Sequence, residues 1–434
     1  MTNSSNIFLN KKILIYGLGK SGLSTFKFLK NKSKVFLYDD LQSNFKIPGI
    51  KKNLINLKKI SKFKFDLIIL SPGININKCK LSKFLKKNQK KIYTDLDVFN
   101  KFYNNDCITI TGTNGKSTTC QLLHDVLSNQ KIDVKLAGNI GVPILSVKNI
   151  KKKTLFIIEA SSYQLDYSKI FKSRIAAILN LSPDHLERHV TIKNYIRAKF
   201  KLLKNQSKGH LAFIKKNDQL IEKEVKLKKF KGKIIKVDNQ KAIKILKNLN
   251  NNYFSTETNK ENLSFVLEIT DKLFKLRKKI LIDTIKKFKG LNYRQQIILD
   301  KNNLKIINDS KSTSFSSSID ILKSNKNIHW LLGGIPKKGD KFNLSKKNCY
   351  KIKAYIFGKN KKFFNQKLKG KIKYKNFRNL KEALKKVILL VKKEKFTNKT
   401  IIFSPCAASF DSFKNFEDRG SYFNKLIRKY FNEI

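Results

Sequence analysis

Ten short apolar runs dictate what this chain can fold into. KILIYG (12–17), VFLYDD (35–40) and DLIILSPG (66–73) form one set, and CITITG (107–112), LFIIEAS (155–161) and IAAILNLS (175–182) a second. LKIINDSK (304–311), IHWLLGG (328–334), KAYIFG (353–358) and TIIFSPC (400–406) form a third. None alternates strictly between apolar and polar residues, and longer helix-like stretches separate them. A strand that is apolar on both faces needs helices on both faces, the pattern of parallel sheets in α/β proteins. Three sets in 434 residues predict three α/β domains, over 1–104, 105–296 and 297–434. Neither break is rich in Pro or Gly, and no internal repeat is visible. The lysine-rich stretch Glu222–Lys233 reads as surface loops or edges.

Two of these runs lead into glycine loops. GLGKSG (17–22) fits the G-x-G-x-x-G turn, whose glycines let backbone amides approach a diphosphate at a helix N-terminus, with Ser21 placed to cap that helix. Asp39 ends the next strand about 20 residues on, where a ribose-binding acid sits in dinucleotide-binding domains. A lone motif of this kind is weak, a simple tight turn accounts for it equally, and nothing downstream resembles hydride chemistry. The second loop, TGTNGKST (111–118), is stronger. Ile110 stands where the first glycine of a strict P-loop belongs. Even so, the amides of Thr113 to Lys116 can cradle a β-phosphate, Lys116 can neutralise a γ-phosphate, and Ser117 can coordinate Mg²⁺. Further on, EASSYQL (159–165) and NLSPDHLERH (180–189) put Glu159, Asp184 and His185 at strand ends, where sites in α/β sheets open. An acid and a histidine beside a phosphate loop point to metal and phosphate ligands, although a structural role for His185 is an equal alternative.

Charge raises a rival reading. The chain has 94 Lys+Arg against 31 Asp+Glu, a formal net charge of +63. Dense positive charge attracts nucleic acid. Only 8 of those residues are Arg, however, and the 86 lysines are scattered with Asn, Ile and Phe along the whole chain. Arg is the usual choice for bidentate base contacts, so its scarcity argues against specific nucleic-acid binding. The five cysteines have no metal-ligand spacing and read as free thiols. With no signal-peptide pattern and no apolar run near the ~20 residues of a membrane span, a soluble cytoplasmic protein is expected.

TGTNGKST, EASSYQL, NLSPDHLERH and YIRAK (195–199) together resemble the central domain of the Mur ligases, ATP-dependent amide-forming enzymes of peptidoglycan synthesis. SPGI (71–74), NDSKSTS (308–314), LLGGIPKKGD (331–340) and SPCAASFDSFKNFEDRG (404–420) resemble the D-glutamate-adding branch of that family. The resemblance implies a Rossmann-like N-terminal domain for the UDP-substrate, a P-loop-type central ATPase domain, and a Rossmann-like C-terminal domain for the amino acid. It implies UDP-N-acetylmuramoyl-L-alanine, D-glutamate and ATP as substrates, Mg²⁺ at two sites, an acyl-phosphate intermediate and a monomer. Another Mur ligase or a folylpolyglutamate-type synthase, with a different acceptor, is the alternative.

The same resemblance distributes the residues. Gly112, Thr113, Asn114, Gly115, Lys116, Ser117 and Thr118 hold the ATP phosphates, and Asn262, Arg294 and Asp309 the rest of the nucleotide, with Lys311 near the phosphates. Ser117 and Glu159 serve one Mg²⁺. His185 and Lys199 serve the second, Lys199 as a carbamate; Lys116, His185 and Lys199 are the catalytic set. Gly19, Lys20, Ser21, Asp39, Gly73 and Asn139 face the UDP-substrate, and Thr313, Lys337, Ser409 and Phe416 the D-glutamate. Four positions depart from the family's habit: Thr258 and Tyr293 where histidine is usual, Ser314 for asparagine, and Ile335 where some members carry an acid.

Overall fold

The computed structural model describes residues 6–41, 49–337, 339–393 and 398–431. Three sheets, rich in parallel pairs, appear among them, one for each set of apolar runs. The first comprises β1 (Lys12–Tyr16), β2 (Lys34–Tyr38), β3 (Leu67–Leu70) and β4 (Ile92–Tyr93), parallel, in the order β2-β1-β3-β4. The second comprises β5 (Cys107–Thr111), β6 (Val134–Gly138), β7 (Leu155–Glu159), β8 (Ile175–Ile178), β9 (Leu211–Lys215) and β10 (Lys233–Val237), parallel, in the order β10-β9-β8-β5-β7-β6. The third comprises β11 (Gln296–Lys301), β12 (Leu304–Asn308), β13 (Ile328–Gly333), β14 (Ile352–Phe357), β15 (Lys373–Phe377) and β16 (Lys399–Phe403), in the order β11-β12-β16-β13-β14-β15. Only β11 runs antiparallel, against β12. Every residue of β5, β7, β8, β13 and β16 is buried. That is the cost of covering both faces, and each such Ile or Phe contributes roughly 1.5–3 kcal/mol when withdrawn from water.

The chain divides into two compact units: Met1–Asp238 with Phe265–Leu281, and Asn239–Ser264 with Ile282–Ile434. The first unit holds the first two sheets on one continuous apolar cluster, from Phe8 and Leu18 through Phe99 to Phe156 and Phe200. A buried carboxylate fastens them further. Asp97 lies on the helix Asp95–Phe102 and caps it by accepting from Thr94 N at 2.9 Å. Its other oxygen accepts from Ser168 Oγ and from the backbone N–H groups of Lys169, Ile170 and Phe171, at 2.8–3.0 Å. An anion surrounded by donors is stable inside a protein, whereas the same anion without them is not.

The stretch Glu222–Lys233 differs from its expectation as loop or edge. Its first half belongs to the helix Gln219–Leu227, capped by Asp218, and Lys233 opens β10, which is an edge strand.

Candidate functional site

In the second sheet the chain leaves β5 for β6 on one side, while β8 pairs with β5 on the other. The carboxyl ends of β5, β7 and β8 flank this switch of direction, where α/β sheets bind their ligands. The loop after β5 turns through Gly112 (φ 151°) and Gly115 (φ 83°) into the helix Lys116–Asn129. Those are angles that glycine adopts at no steric cost. At Gly112 a side chain would also meet Leu179 Cβ at 3.0 Å.

The polar groups converge on this loop. Lys116 Nζ donates to Gly112 O and Thr113 O, both at 2.9 Å. Ser117 Oγ donates to Glu159 Oε2 at 2.6 Å, and Asn139 Nδ2 donates to Glu159 Oε1 at 2.7 Å. Asn114 N donates to Asn180 Oδ1, and Thr113 Oγ1 lies 3.0 Å from Tyr195 OH. Tyr195 and Lys199 are four residues apart on the helix Ile192–Lys204 and share a face. Lys199 is 1% exposed and donates to Gly112 O at 2.7 Å and Thr111 Oγ1 at 3.3 Å. Burial pushes its pKa well below the usual lysine value; nearby Lys116 adds to this, and Asp184 and Glu159 oppose it. Burial of this kind favours the neutral amine over the ammonium.

His185 has a left-handed backbone (φ 54°). Its Nδ1 lies 2.8 Å from Tyr163 OH and 3.4 Å from Glu187 Oε1, and its Nε2 lies 3.4 Å from Asp184 Oδ2. Thr118 is buried in the first turn of the loop's helix. The structure thus brings Lys116 and Lys199 onto the carbonyl of Gly112 and Ser117 and Asn139 onto Glu159, around one loop, with His185 on the neighbouring strand-end loop.

Arg188, three residues after His185, was not anticipated. Its guanidinium stacks over Tyr163 and Tyr167, 4.7 and 5.2 Å from their ring centres, and donates to Pro72 O at 3.2 Å. It thereby ties the loop after β3, which carries Gly73, to the His185 loop. In the first sheet, Gly17 (φ 95°) and Gly22 make the tight turn, and a Cβ on Gly22 would stand 1.8 Å from Gly17 O. Asp39 accepts from Leu18 N at 2.7 Å and Leu41 N at 3.0 Å. Gly19 and Lys20 are exposed, and Ser21 reaches the buried Asp95.

The second unit carries its own cluster at the strand ends of the third sheet. Asn262 is buried and donates to Asn259, which donates in turn to Gln295 Oε1; Gln295 N donates to Asp309 Oδ1. Asp309 also accepts from Ser404 Oγ at 2.8 Å. Burial raises its pKa to about 7 against the pull of these donors and of Arg294 and Arg419. Lys311 Nζ sits 4.0 Å from the centre of the Phe416 ring, and the Arg294 guanidinium sits 5.8 Å from it. Ser409 is buried; Thr313 and Lys337 are half-buried on the loops after β12 and β13.

The four departures have local accounts. Tyr293 packs on Gly420, where a Cβ would meet its ring at 2.4 Å. Thr258 N donates to Asp320, Ser314 forms a capping box with Ser317, and Ile335 exchanges backbone hydrogen bonds with Ala408.

Comparison with known proteins agrees with this architecture. Residues 11–92 match the family model "Mur ligase MurD-like, N-terminal domain", and residues 110–286 match "Mur ligase middle domain". The UDP-N-acetylmuramoylalanine--D-glutamate ligase of Rickettsia felis is 33% identical, over 99% of this chain and 99% of that protein. The ligase of the same name from Buchnera aphidicola subsp. Schizaphis graminum is 36% identical, over 97% and 99%. Among solved structures, the Thermotoga maritima MurF ligase in complex with ADP shares the fold, with a TM-score of 0.57 at 13% identity over 100% of this chain and 99% of that one. The chain therefore belongs to the Mur ligase family, in the branch of the UDP-N-acetylmuramoylalanine--D-glutamate ligases.

Proposed function

We infer that this protein uses ATP to join D-glutamate to UDP-N-acetylmuramoyl-L-alanine in peptidoglycan synthesis. The observation that carries this is its end-to-end similarity to ligases of that name. The chemistry follows from the acyl donor's problem. A carboxylate acylates nothing at neutral pH, because its leaving group would be oxide. The alanyl carboxylate therefore attacks the γ-phosphorus, ADP leaves, and an acyl phosphate forms. The amine of D-glutamate adds to that carbonyl, the tetrahedral intermediate expels inorganic phosphate, and the amine's proton is released. The protein's part is positioning and charge neutralisation.

In this reading Lys116 gives up its loop carbonyls to meet the γ-phosphate, and the amides from Thr113 to Thr118 hold the β-phosphate. Asn139 orients the substrate's alanyl end from its place beside Glu159. Asn262, Arg294, Asp309 and Lys311 attend the nucleotide. Thr313, Lys337, Ser409 and Phe416 attend D-glutamate, and Gly19, Lys20, Ser21, Asp39 and Gly73 attend the uridine diphosphate.

The residues fit Mg²⁺. Among the described residues no three His, Cys, Asp or Glu side chains converge. Mg²⁺ is commonly held by one or two protein oxygens together with substrate phosphates, and Ser117 and Glu159 offer that pair. Bound there, it would neutralise charge on the phosphates. His185 and Lys199 would hold a second ion, Lys199 as a carbamate formed when its neutral amine adds to CO₂ and loses a proton. The buried, pKa-lowered amine supports this role. Domain bounds of 1–104, 105–296 and 297–434 are part of the proposal, as are a monomer and a cytoplasmic location. The first bound falls between the two family-model matches, and no helix among the described residues is long and apolar enough to cross a membrane.

An acceptor panel tests the reading. With ATP, Mg²⁺ and UDP-N-acetylmuramoyl-L-alanine, phosphate release is expected with D-glutamate alone. Release with L-lysine, diaminopimelate or L-alanine in its place would move the protein to another branch.

A further inference from the structure

The helix Phe416–Phe431 starts beside the strand-end loops of the third sheet, and its fourth residue, Arg419, is 1% exposed. Two edges of its guanidinium are bonded. Nε donates to Ser310 Oγ at 3.1 Å, while Nη2 donates to Ser310 O at 2.8 Å and to Ala407 O at 2.9 Å. The remaining nitrogen, Nη1, is buried and has no hydrogen-bond partner. It faces Gly334: a Cβ there would stand 3.1 Å from Nη1 and 2.4 Å from Ala408 O. Ile335 and Ala408, next along these two loops, exchange backbone hydrogen bonds at 2.9 Å. One planar cation thus meets the loops after β12, β13 and β16.

These loops carry Thr313, Lys337 and Ser409. Asp309 feels the charge of Arg419, which a lysine would keep, but its hydrogen bonds run to Gln295, Ser404 and the backbone of Phe403. Burial lowers the Arg419 pKa only to about 10, so the group is charged at neutral pH. Asp411 and Asp309 offset part of its charge, and its unpaired edge stands toward Gly334, which opens the loop of Lys337. A lysine cannot reproduce the fork, since its ammonium is a point charge on a flexible stem.

We propose that Arg419 is a positioning residue for the amino-acid acceptor: it sets the spacing of the three loops that receive a dicarboxylic amino acid. This rests on the D-glutamate reading above. The test is steady-state kinetics of Arg419→Lys with D-glutamate and ATP varied separately. We expect the KM for D-glutamate to rise at least tenfold, the KM for ATP to stay within twofold, and kcat at saturating D-glutamate to stay within threefold. Ser310→Ala removes only the hydroxyl that receives Nε. It should raise the KM for D-glutamate severalfold in a protein that melts near the parent, so the proposal is decided even if Arg419→Lys does not fold. An unchanged KM for D-glutamate in either folded variant, or equal rises for D-glutamate and ATP, would overturn it. Failure of the D-glutamate reading itself would appear instead as no turnover of D-glutamate by the parent protein.

Discussion

The two glycine loops of the first unit have the same outline and different equipment. Each follows a parallel strand, turns at positive φ on glycine (Gly17 in the first, Gly112 and Gly115 in the second), and opens a helix. In the first loop the polar groups serve the turn itself: Asp39 holds Leu18 N, and Ser71 Oγ donates to Gly17 O at 2.6 Å. Its one lysine, Lys20, points to solvent. In the second, two lysines, Lys116 and Lys199, share the carbonyl of Gly112, and a hydroxyl faces a buried acid. Two cations on one carbonyl repel each other, which the protein tolerates by burying Lys199 until its charge is weakly held. In the proposed reading the first loop receives a diphosphate chiefly through its backbone, while the second, which transfers a phosphate, adds charge that the backbone does not supply.

That contrast can be broken at the lysines. Lys116→Ala should lower kcat by about 10³-fold or more, the scale on which a cation at a transferring phosphate acts, with the melting temperature near the parent's. Lys20→Ala should leave kcat unchanged and raise the KM for the UDP-substrate a few-fold at most. Equal effects of the two would erase the distinction between the loops. Lys199→Ala should lose at least on the order of 10²-fold in kcat, the upper end of what loss of a metal ligand's mere support costs, and regain part of it in added formate or acetate. Parent-like turnover of that variant in bicarbonate-free buffer would remove the carbamate from the account. The glycines give the smallest effects, read in stability. Gly22→Ala drives a methyl to within 1.8 Å of Gly17 O and should cost roughly 3 kcal/mol. Gly19→Ala meets nothing within 4 Å and should be nearly neutral. Chemical denaturation of the pair measures whether the first loop is built by close approach of its backbone.

Sequence reasoning reached most of the buried strands and, of the six sheet-edge strands, only β2. The other five, β4, β6, β10, β11 and β15, stand outside the ten apolar runs. β10 (KIIKV) and β15 (KYKNF) are dotted with lysines that an edge can hold in water, so no apolar run announces them. β9 (LAFIK) lies inside its sheet and also stands outside the ten runs, although its apolar run is no shorter than the AYIF of β14. The central site was legible because its residues cluster in motifs; Lys199 was picked from 86 lysines on that basis alone. Asp97, Arg188 and Arg419 were not singled out, because burial of a charge depends on donors and acceptors far away in the chain. A signal was nevertheless present. Of the 8 Arg in the chain, Arg174, Arg188, Arg294 and Arg419 are paired, stacked or forked, geometries that a lysine does not reproduce.

The central claim, that ATP turns the alanyl carboxylate into a phosphorylated acyl donor for D-glutamate, has one direct test. UDP-N-acetylmuramoyl-L-alanine labelled with oxygen-18 in its carboxylate is turned over with unlabelled ATP and D-glutamate, and the released inorganic phosphate is weighed by mass spectrometry. The account predicts one labelled oxygen in each phosphate, in proportion to the label in the carboxylate. Phosphate that carries no label while the amide product forms would contradict it.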